Sequence, residues 1–272
     1  MEDSKTAPGD DLEIPADFVS TLFDLRGRVA VVTGAGSGLG AAISIGYAQA
    51  GVTVVVADLN EAGAAVIAAK IVDQRGVAHV RHLDVTSKAE VDALADAVID
   101  EFGRVDILVN SAGSAFRAPA EEFPEERFDF IVDLNLKGTY LCCQAFGRKM
   151  LAQGSGSIIN LGSIGSFVGY PWASAYLASK GGVLGITRAL ALEWRDRGVR
   201  VNAIGPTLMD SPLTRQAAQR TSLTADFIKA RMLRQRLGLP RELIGAAIFL
   251  ASDASELVTG HTLMCDDGYL TA

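Results

Sequence analysis

With three cysteines and three histidines in 272 residues, the chain lacks the material for a disulfide framework or a histidine-rich metal centre. Cys142 and Cys143 are adjacent in an apolar helical pattern and read as small core residues, while Cys265 stands alone. His79, His82 and His261 are scattered without metal-ligand spacing, so no metal is expected. Basic charge is also short: 25 Lys+Arg against 32 Asp+Glu leave a net charge of −7, which argues against nucleic acid or an anionic membrane as a partner. No apolar run is long enough to span a bilayer. Internal repeats and a second glycine-rich signature are missing, which leaves one domain. Met1 to Asp11 is polar and acidic, unlike a leader with a basic start and an apolar middle. Together these absences predict a cytoplasmic protein acting on a small molecule.

What is present is apolar and periodic. Hydrophobic residues make up 49% of the chain, enough for a large core. Residues 1–25 form an N-terminal extension, with a short helix expected after Asp17. The remainder, 26–272, alternates strand and helix. Strands are predicted at Arg28–Thr33, Val52–Ala57, Val77–Leu83, Val105–Val109, Ser157–Leu161, Val199–Ile204 and Gly260–Cys265. Helices are predicted at Ala41–Gly51, Glu61–Arg75, Val91–Phe102, Phe123–Met150, Tyr176–Arg195 and Glu242–Ser252. That alternation implies an α/β fold with a doubly wound parallel sheet, which binds ligands at the carboxyl ends of its strands.

The chemistry-bearing residues fall at those ends. Gly34, Gly36, Gly38 and Gly40 lie between the first strand and first helix, where glycines let the backbone approach a pyrophosphate and a helix N-terminus offers free N–H groups. Asp58 ends the second strand, 18 residues past Gly40, in position to accept hydrogen bonds from an adenosine ribose. No arginine follows it, and Ala35 inside the turn is not basic, so NAD is favoured over NADP. Asp84 ends the third strand, either to meet an adenine amino group or to cap the next helix. Asn110 and Gly113 bound a small-residue turn after the fourth strand.

Ser163 follows the fifth strand, and Tyr176 and Lys180 follow Ser163 by 13 and 17 positions. On a helix, Tyr176 and Lys180 share one face, one turn apart. A phenol with a reference pKa of about 10 needs a neighbouring cation to exchange protons near neutrality, and Lys180 is placed to supply it. Asn135, between Leu134 and Leu136, is an awkward group to bury and is expected either to bend its helix around a water, the favoured reading, or to be exposed. Residues 207–239 have little apolar periodicity and read as a lid. Arg215, Arg220, Lys229, Arg231, Arg234 and Arg236 make the lid basic, which suits either an anionic or highly hydroxylated substrate, or a solvated helix face.

Taken together, Thr33-Gly34-Ala-Gly-Ser-Gly38-Leu-Gly40, Asp84, Asn110-Ser-Ala-Gly113, Asn135, Ser163 and Tyr176-x-x-x-Lys180 resemble the short-chain dehydrogenase/reductase family, from about Leu25 onward. The resemblance implies a single-domain Rossmann fold with seven strands, NAD(P)-dependent interconversion of alcohol and ketone, and a homodimer or homotetramer. It implies Tyr176 as general acid/base and Ser163 as the residue that orients the substrate oxygen. Lys180 would hold the nicotinamide ribose and lower the Tyr176 pKa, and Asn135 would anchor a water that links Lys180 to solvent. Cofactor contacts are expected from Gly34, Ser37, Gly38, Leu39, Asp58, Asp84, Val85, Asn110, Gly113, Tyr176, Lys180, Pro206, Thr207 and Leu208. Substrate contacts are expected from Ser114, Arg117, Gly165 and Trp172.

Two positions depart from the family pattern. Ser111 replaces an asparagine. Thr207 replaces a glycine, which puts the lid's entry geometry in doubt, and Ser211 is a candidate for a hydroxyl the family places nearby. The segment Arg241–Leu250 is similar to sugar-acid and polyol dehydrogenases of the family. Two other readings stay open: an NADPH-dependent 3-oxoacyl-thioester or carbonyl reductase, and a cofactor-sensing protein without catalysis.

Overall fold

The computed structural model describes residues 14–218 and 223–271. Its frame is one seven-stranded sheet in the order β3-β2-β1-β4-β5-β6-β7, with every pairing parallel. The strands are β1 (Val29–Thr33), β2 (Thr53–Asp58), β3 (Val77–His82), β4 (Ile107–Asn110), β5 (Gly156–Leu161), β6 (Val199–Pro206) and β7 (Thr262–Cys265). A short helix α1 (Phe18–Thr21) precedes them, and the Leu22 carbonyl just after it accepts from Ala254 N–H of the same chain. The expected features of Met1–Asp11 lie outside the described residues.

Successive strand residues face opposite sides of the sheet, and each side becomes a separate core. Ala30, Val32, Val54, Val56, Ile107 and Val109 face α2 (Gly38–Gln49), α3 (Glu61–Asp73) and α10 (Ile244–Ala251). Val29, Val31, Val55, Leu108, Ile158 and Val201 face α4 (Lys88–Phe102), α6 (Gly138–Gln153) and α7 (Ser174–Trp194). Each of these strand residues is at most 5% exposed. Cys142 and Cys143 are buried in the second core, as their pattern suggested, and burial pushes both thiols up. Cysteines 142, 143 and 265 are all free.

Three elements differ from the sequence expectation. Helix α4 begins at Lys88 because Ser87 caps it, its hydroxyl accepting from Glu90 N–H; Asp84 forms a turn of its own instead, accepting from the N–H and the hydroxyl of Thr86. The long helix expected from Phe123 is two helices, α5 (Glu125–Val132) and α6, joined by a π-helical turn at Asp133–Lys137. The lid does carry an apolar face. It contains α8 (Pro212–Ala218) and α9 (Leu223–Lys229), and its Ile228 and Met232 are buried against Ile164, Tyr170, Ala173 and Tyr269. A parallel bridge between Met209 and Gly238 ties the two ends of this excursion together.

The strand order reverses between β1 and β4. Connections leave these neighbours in opposite directions, and a crevice opens at their carboxyl ends. One cavity of about 360 Å³ lies along that edge.

Candidate active site

At one end of the cavity, the β1–α2 turn is shaped by what its glycines avoid. Gly34 has φ +64°, and a Cβ there would sit 2.7 Å from the Ala112 backbone. A Cβ on Gly36 would meet Asp58 Oδ2 at 2.9 Å, the oxygen that accepts from Gly36 N–H at 2.8 Å. Asp58 Oδ1 accepts from Asn60 N–H. The carboxylate is thereby fixed against the turn while it lines the cavity with Gly34, Ser37, Gly38, Leu39, Asp84 and Val85. A glycine cradle at a helix N-terminus, next to an oriented carboxylate, fits the pyrophosphate and adenosine ribose of a dinucleotide.

The next wall is the segment after β4. Thr33 Oγ1 accepts from the N–H groups of Ser111 and Ala112, both at 3.2 Å. This anchoring uses the backbone of Ser111, so serine serves there as asparagine would. Gly113 and Ser114 line the cavity, but Asn110 does not: it lies beneath, donating to Asn160 Oδ1 at 2.8 Å.

Asn135, fully buried in the π-helical turn, binds the Ser114 backbone both ways. Its Oδ1 accepts from Ser114 N–H at 2.8 Å, and its Nδ2 donates to the Ser114 carbonyl at 2.9 Å and to Ser179 Oγ at 3.1 Å. Protein groups therefore satisfy this buried amide. The expectation that it bends its helix around a water gives way to a π turn that aims it at the cavity wall.

The reactive end comes from β5 and α7. Ser163, 6% exposed, follows β5, and its Oγ accepts from Gly165 N–H at 3.0 Å. Tyr176 and Lys180 leave the same face of α7, and both line the cavity with Ser163. Lys180 is 7% exposed; its Nζ donates to the Leu161 carbonyl at 2.6 Å and lies 5.9 Å from the Tyr176 ring centroid. Burial brings the Lys180 ammonium down to about 8.

Burial also raises the Tyr176 phenol, opposed by the Ser163 hydroxyl and then by the positive charge of Arg117. The expectation assigned that task to Lys180 alone. The structure directs Lys180 to a backbone carbonyl and brings Arg117 over the phenol, with its guanidinium carbon 5.4 Å from the ring centroid.

Of the expected substrate residues, Ser114 and Arg117 line the cavity; Gly165 and Trp172 do not. Gly165 lies behind Ser163, where a Cβ would collide with Leu177 and the Tyr170 hydroxyl. Trp172 has φ +65°, and its carbonyl receives Ala118 N–H at 3.3 Å, so it braces the Arg117 loop from outside. Tyr170 lines the cavity and was missed; it precedes Tyr176 by six positions, a spacing with no helical meaning.

The end of β6 supplies Pro206 to the cavity, and the lid supplies Thr207, Leu208, Ser211 and Ile228. Thr207 is not among the described residues with positive φ, so the glycine it replaces is not needed for backbone freedom. Its buried Oγ1 has no partner. Ser211 accepts from Thr214 N–H at the start of α8, so its hydroxyl is partly committed to the lid itself. Three of the six basic side chains of the lid are paired with acids. Arg215 pairs with Asp210, Arg234 with Asp267 and Arg236 with Glu242, while Arg231 lies 5.2 Å from the Tyr269 ring centroid. Arg220 lies outside the described residues.

A dinucleotide cradle running into a serine, a phenol and a lysine on one sheet edge defines an NAD(P)-dependent oxidoreductase acting on CH–OH groups. The family model described as enoyl-(acyl carrier protein) reductase matches residues 34–270. The chain is 45% identical over 256 residues to D-threitol dehydrogenase of Mycolicibacterium smegmatis, covering 93% of this chain and 98% of that one. It is 38% identical to 2-dehydro-3-deoxy-D-gluconate 5-dehydrogenase of Escherichia coli, covering 93% and 99%. A gluconate 5-dehydrogenase of Burkholderia cenocepacia, solved with NADP and tartrate, superposes with a TM-score of 0.88 at 36% identity over 93% of this chain and 99% of that one. The chain belongs to the short-chain dehydrogenase/reductase family. Among the described residues no helix is long and apolar enough to cross a membrane, and no cluster of His, Cys, Asp or Glu could hold a metal.

Proposed function

We propose that this protein is an NAD-dependent dehydrogenase that oxidises a secondary alcohol of a polyol, sugar or sugar acid to a ketone. The observation that carries the reading is the convergence of Ser163, Tyr176 and Lys180 on the cavity that begins at the Gly34 turn. The named activities of the relatives, on threitol and on a deoxygluconate derivative, support the substrate class.

In this reading the carbinol oxygen sits between Ser163 Oγ and the Tyr176 hydroxyl. Ser163 donates to it and orients it. Tyr176, as phenolate, takes the hydroxyl proton, acting as general base. Lys180 holds the nicotinamide ribose with the donors that Leu161 leaves free. A nicotinamide held there would supply the hydride acceptor for the reacting carbon. Thr207 Oγ1, which has no partner, and the backbone of Leu208 would hold its carboxamide. Asn135 holds the wall at Ser114 so that the ring face stays open. Reduction of the ketone runs the same steps in reverse, with Tyr176 as the acid.

NAD is favoured because Asp58 presents a carboxylate where a 2′-phosphate would lie, and the next residue, Leu59, is an exposed aliphatic side chain rather than a cation. Asp58→Ala combined with Leu59→Arg should move preference towards NADP by one to two orders of magnitude, roughly the effect of exchanging one charge repulsion for an attraction. Initial rates with both cofactors on threitol, glucitol, threonate and gluconate test the reading. NADP preference in the native enzyme without turnover of any of these would contradict it.

The protein is also proposed to work as a homo-oligomer. Phe128, Phe130, Tyr140 and Leu192 are 41–69% exposed on α5, α6 and α7, apolar side chains that a second copy of the chain would cover.

A further inference from the structure

A second phenol, that of Tyr170, stands at the reactive end and has no part in the steps above. Tyr170 is buried, lines the cavity and packs in the cluster that holds Ile164 and Ala173. Its hydroxyl lies close behind Ser163, where a Cβ on Gly165 would meet it at 2.9 Å. The N–H of that same glycine donates to Ser163 Oγ at 3.0 Å. Both phenols, Tyr170 and Tyr176, hydrogen-bond the Ser163 hydroxyl.

The donors and acceptors present give these bonds a direction. A serine hydroxyl has one proton to give and two lone pairs to receive. Burial holds the Tyr170 phenol well above its ordinary value, so it keeps its proton throughout the working pH range. Arg117, which can only donate, hydrogen-bonds the Tyr170 phenol and lies 5.5 Å from its ring centroid. The Tyr170 oxygen therefore accepts from Arg117, and its O–H is left to donate to Ser163 Oγ. Gly165 N–H takes the other lone pair, so both acceptor positions of Ser163 are filled. The one Ser163 proton then has a single direction left, towards the Tyr176 oxygen and the carbinol oxygen beside it. A hydroxyl that accepts strongly also donates more strongly.

We infer that Tyr170 is a positioning residue: its O–H donates to Ser163 Oγ and thereby aims the Ser163 proton at Tyr176 and the carbinol oxygen. The inference rests on the proposed dehydrogenase reading and adds a residue to its machinery. The other titratable groups lining the cavity are Arg117 and Lys180 at this end, and Asp58 and Asp84 at the adenosine end. Tyr269, with Arg231 over its ring, packs in the same cluster as Tyr170.

A double-mutant cycle tests it, with kcat/KM for alcohol oxidation followed over pH at saturating NAD. Tyr170→Phe keeps the ring under Arg117 and removes only the hydroxyl. It should lower kcat/KM by about tenfold, the scale of one buried hydrogen bond. It should also move the rising limb to higher pH, because the Tyr176 phenolate loses part of its support. In Ser163→Ala no hydroxyl remains to be aimed. There the same exchange should change kcat/KM by less than about twofold and leave the limb in place. NADH binding, read by its fluorescence, should stay within about threefold and report an intact fold. If Tyr170→Phe does not fold, Tyr170→Met, which also fills the site without an O–H, takes its place in the cycle. If Ser163→Ala is too slow to assay, the limb of the Tyr170 variant decides. A limb that stays in place in Tyr170→Phe, or a loss of equal size with and without the Ser163 hydroxyl, would overturn the inference and leave the dehydrogenase reading standing. Absence of alcohol turnover in the native, cofactor-bound enzyme would remove both.

Discussion

Tyr176 is where sequence and structure agree most closely and where the physical account changes most. Its spacing to Lys180 made the pair legible on a helical face. The identity of the groups that favour the phenolate was not, because Arg117 precedes Tyr176 by 59 positions and meets it only through the fold. Tyr170, only six positions before Tyr176, was hidden because that spacing puts the two on no common helical face. Burial raises the Tyr176 phenol, while the Ser163 hydroxyl and the Arg117 cation pull it back. Lys180 remains on the same helix, and the Tyr170 phenol faces the same group. Alcohol oxidation needs the phenolate, so its rate should rise with pH through the apparent pKa of this group. Ser163→Ala removes a group that favours the anion, so the rising limb of the kcat/KM profile should move to higher pH. In the ketone-reduction direction, which needs the protonated phenol, the falling limb should move the same way. A limb that stays in place or moves to lower pH in Ser163→Ala would show that this hydroxyl does not stabilise the phenolate.

Elements were legible where a single period ran through them, and less so where two geometries met. The buried strands read directly because parallel strands covered on both faces are continuous apolar runs. The π-helical turn at Asp133–Lys137 did not: its sequence continues the apolar pattern of its neighbours, and only the polar Asn135 marks it. The segment read as a lid makes its apolar contacts through Ile228 and Met232, four residues apart on a short segment, too few to register as a period. Its arginines suggested an anion site until their acidic partners, one of them 33 residues away in sequence, were placed beside three of them. Asn135 gives this scale its prediction. Asn135→Ala strands the Ser114 N–H and carbonyl, and a lost buried hydrogen-bond pair costs about 1–3 kcal/mol. Urea unfolding should show that loss, and the KM for NAD should rise as the cavity wall loosens. Unchanged stability and KM would mean that Ser114 is held by other contacts.

At the scale of the whole molecule, the alternation of strand and helix was enough to place one edge of a parallel sheet in charge of the chemistry. Gly34, Asp58, Asp84, Ser163 and Pro206 all reach one cavity because parallel strands end on the same side. What the pattern could not give is depth along that edge. Asn110 and Gly165 belong to the right strand ends, yet lie beneath or behind the cavity. Assembly belongs to this scale too. Light scattering on the purified protein should return a dimer or tetramer, and a monomer at micromolar concentration would leave the exposed faces of α5, α6 and α7 without the partner proposed for them.

The central claim is that the Tyr176 phenol moves the proton in an alcohol oxidation coupled to NAD. Replacing Tyr176 by Phe removes one oxygen from a ring that otherwise keeps its place on α7. The steady-state rate of NADH formation on the best substrate should fall by about 10²–10⁴-fold, with NAD affinity nearly unchanged. Full activity in Tyr176→Phe would contradict the account.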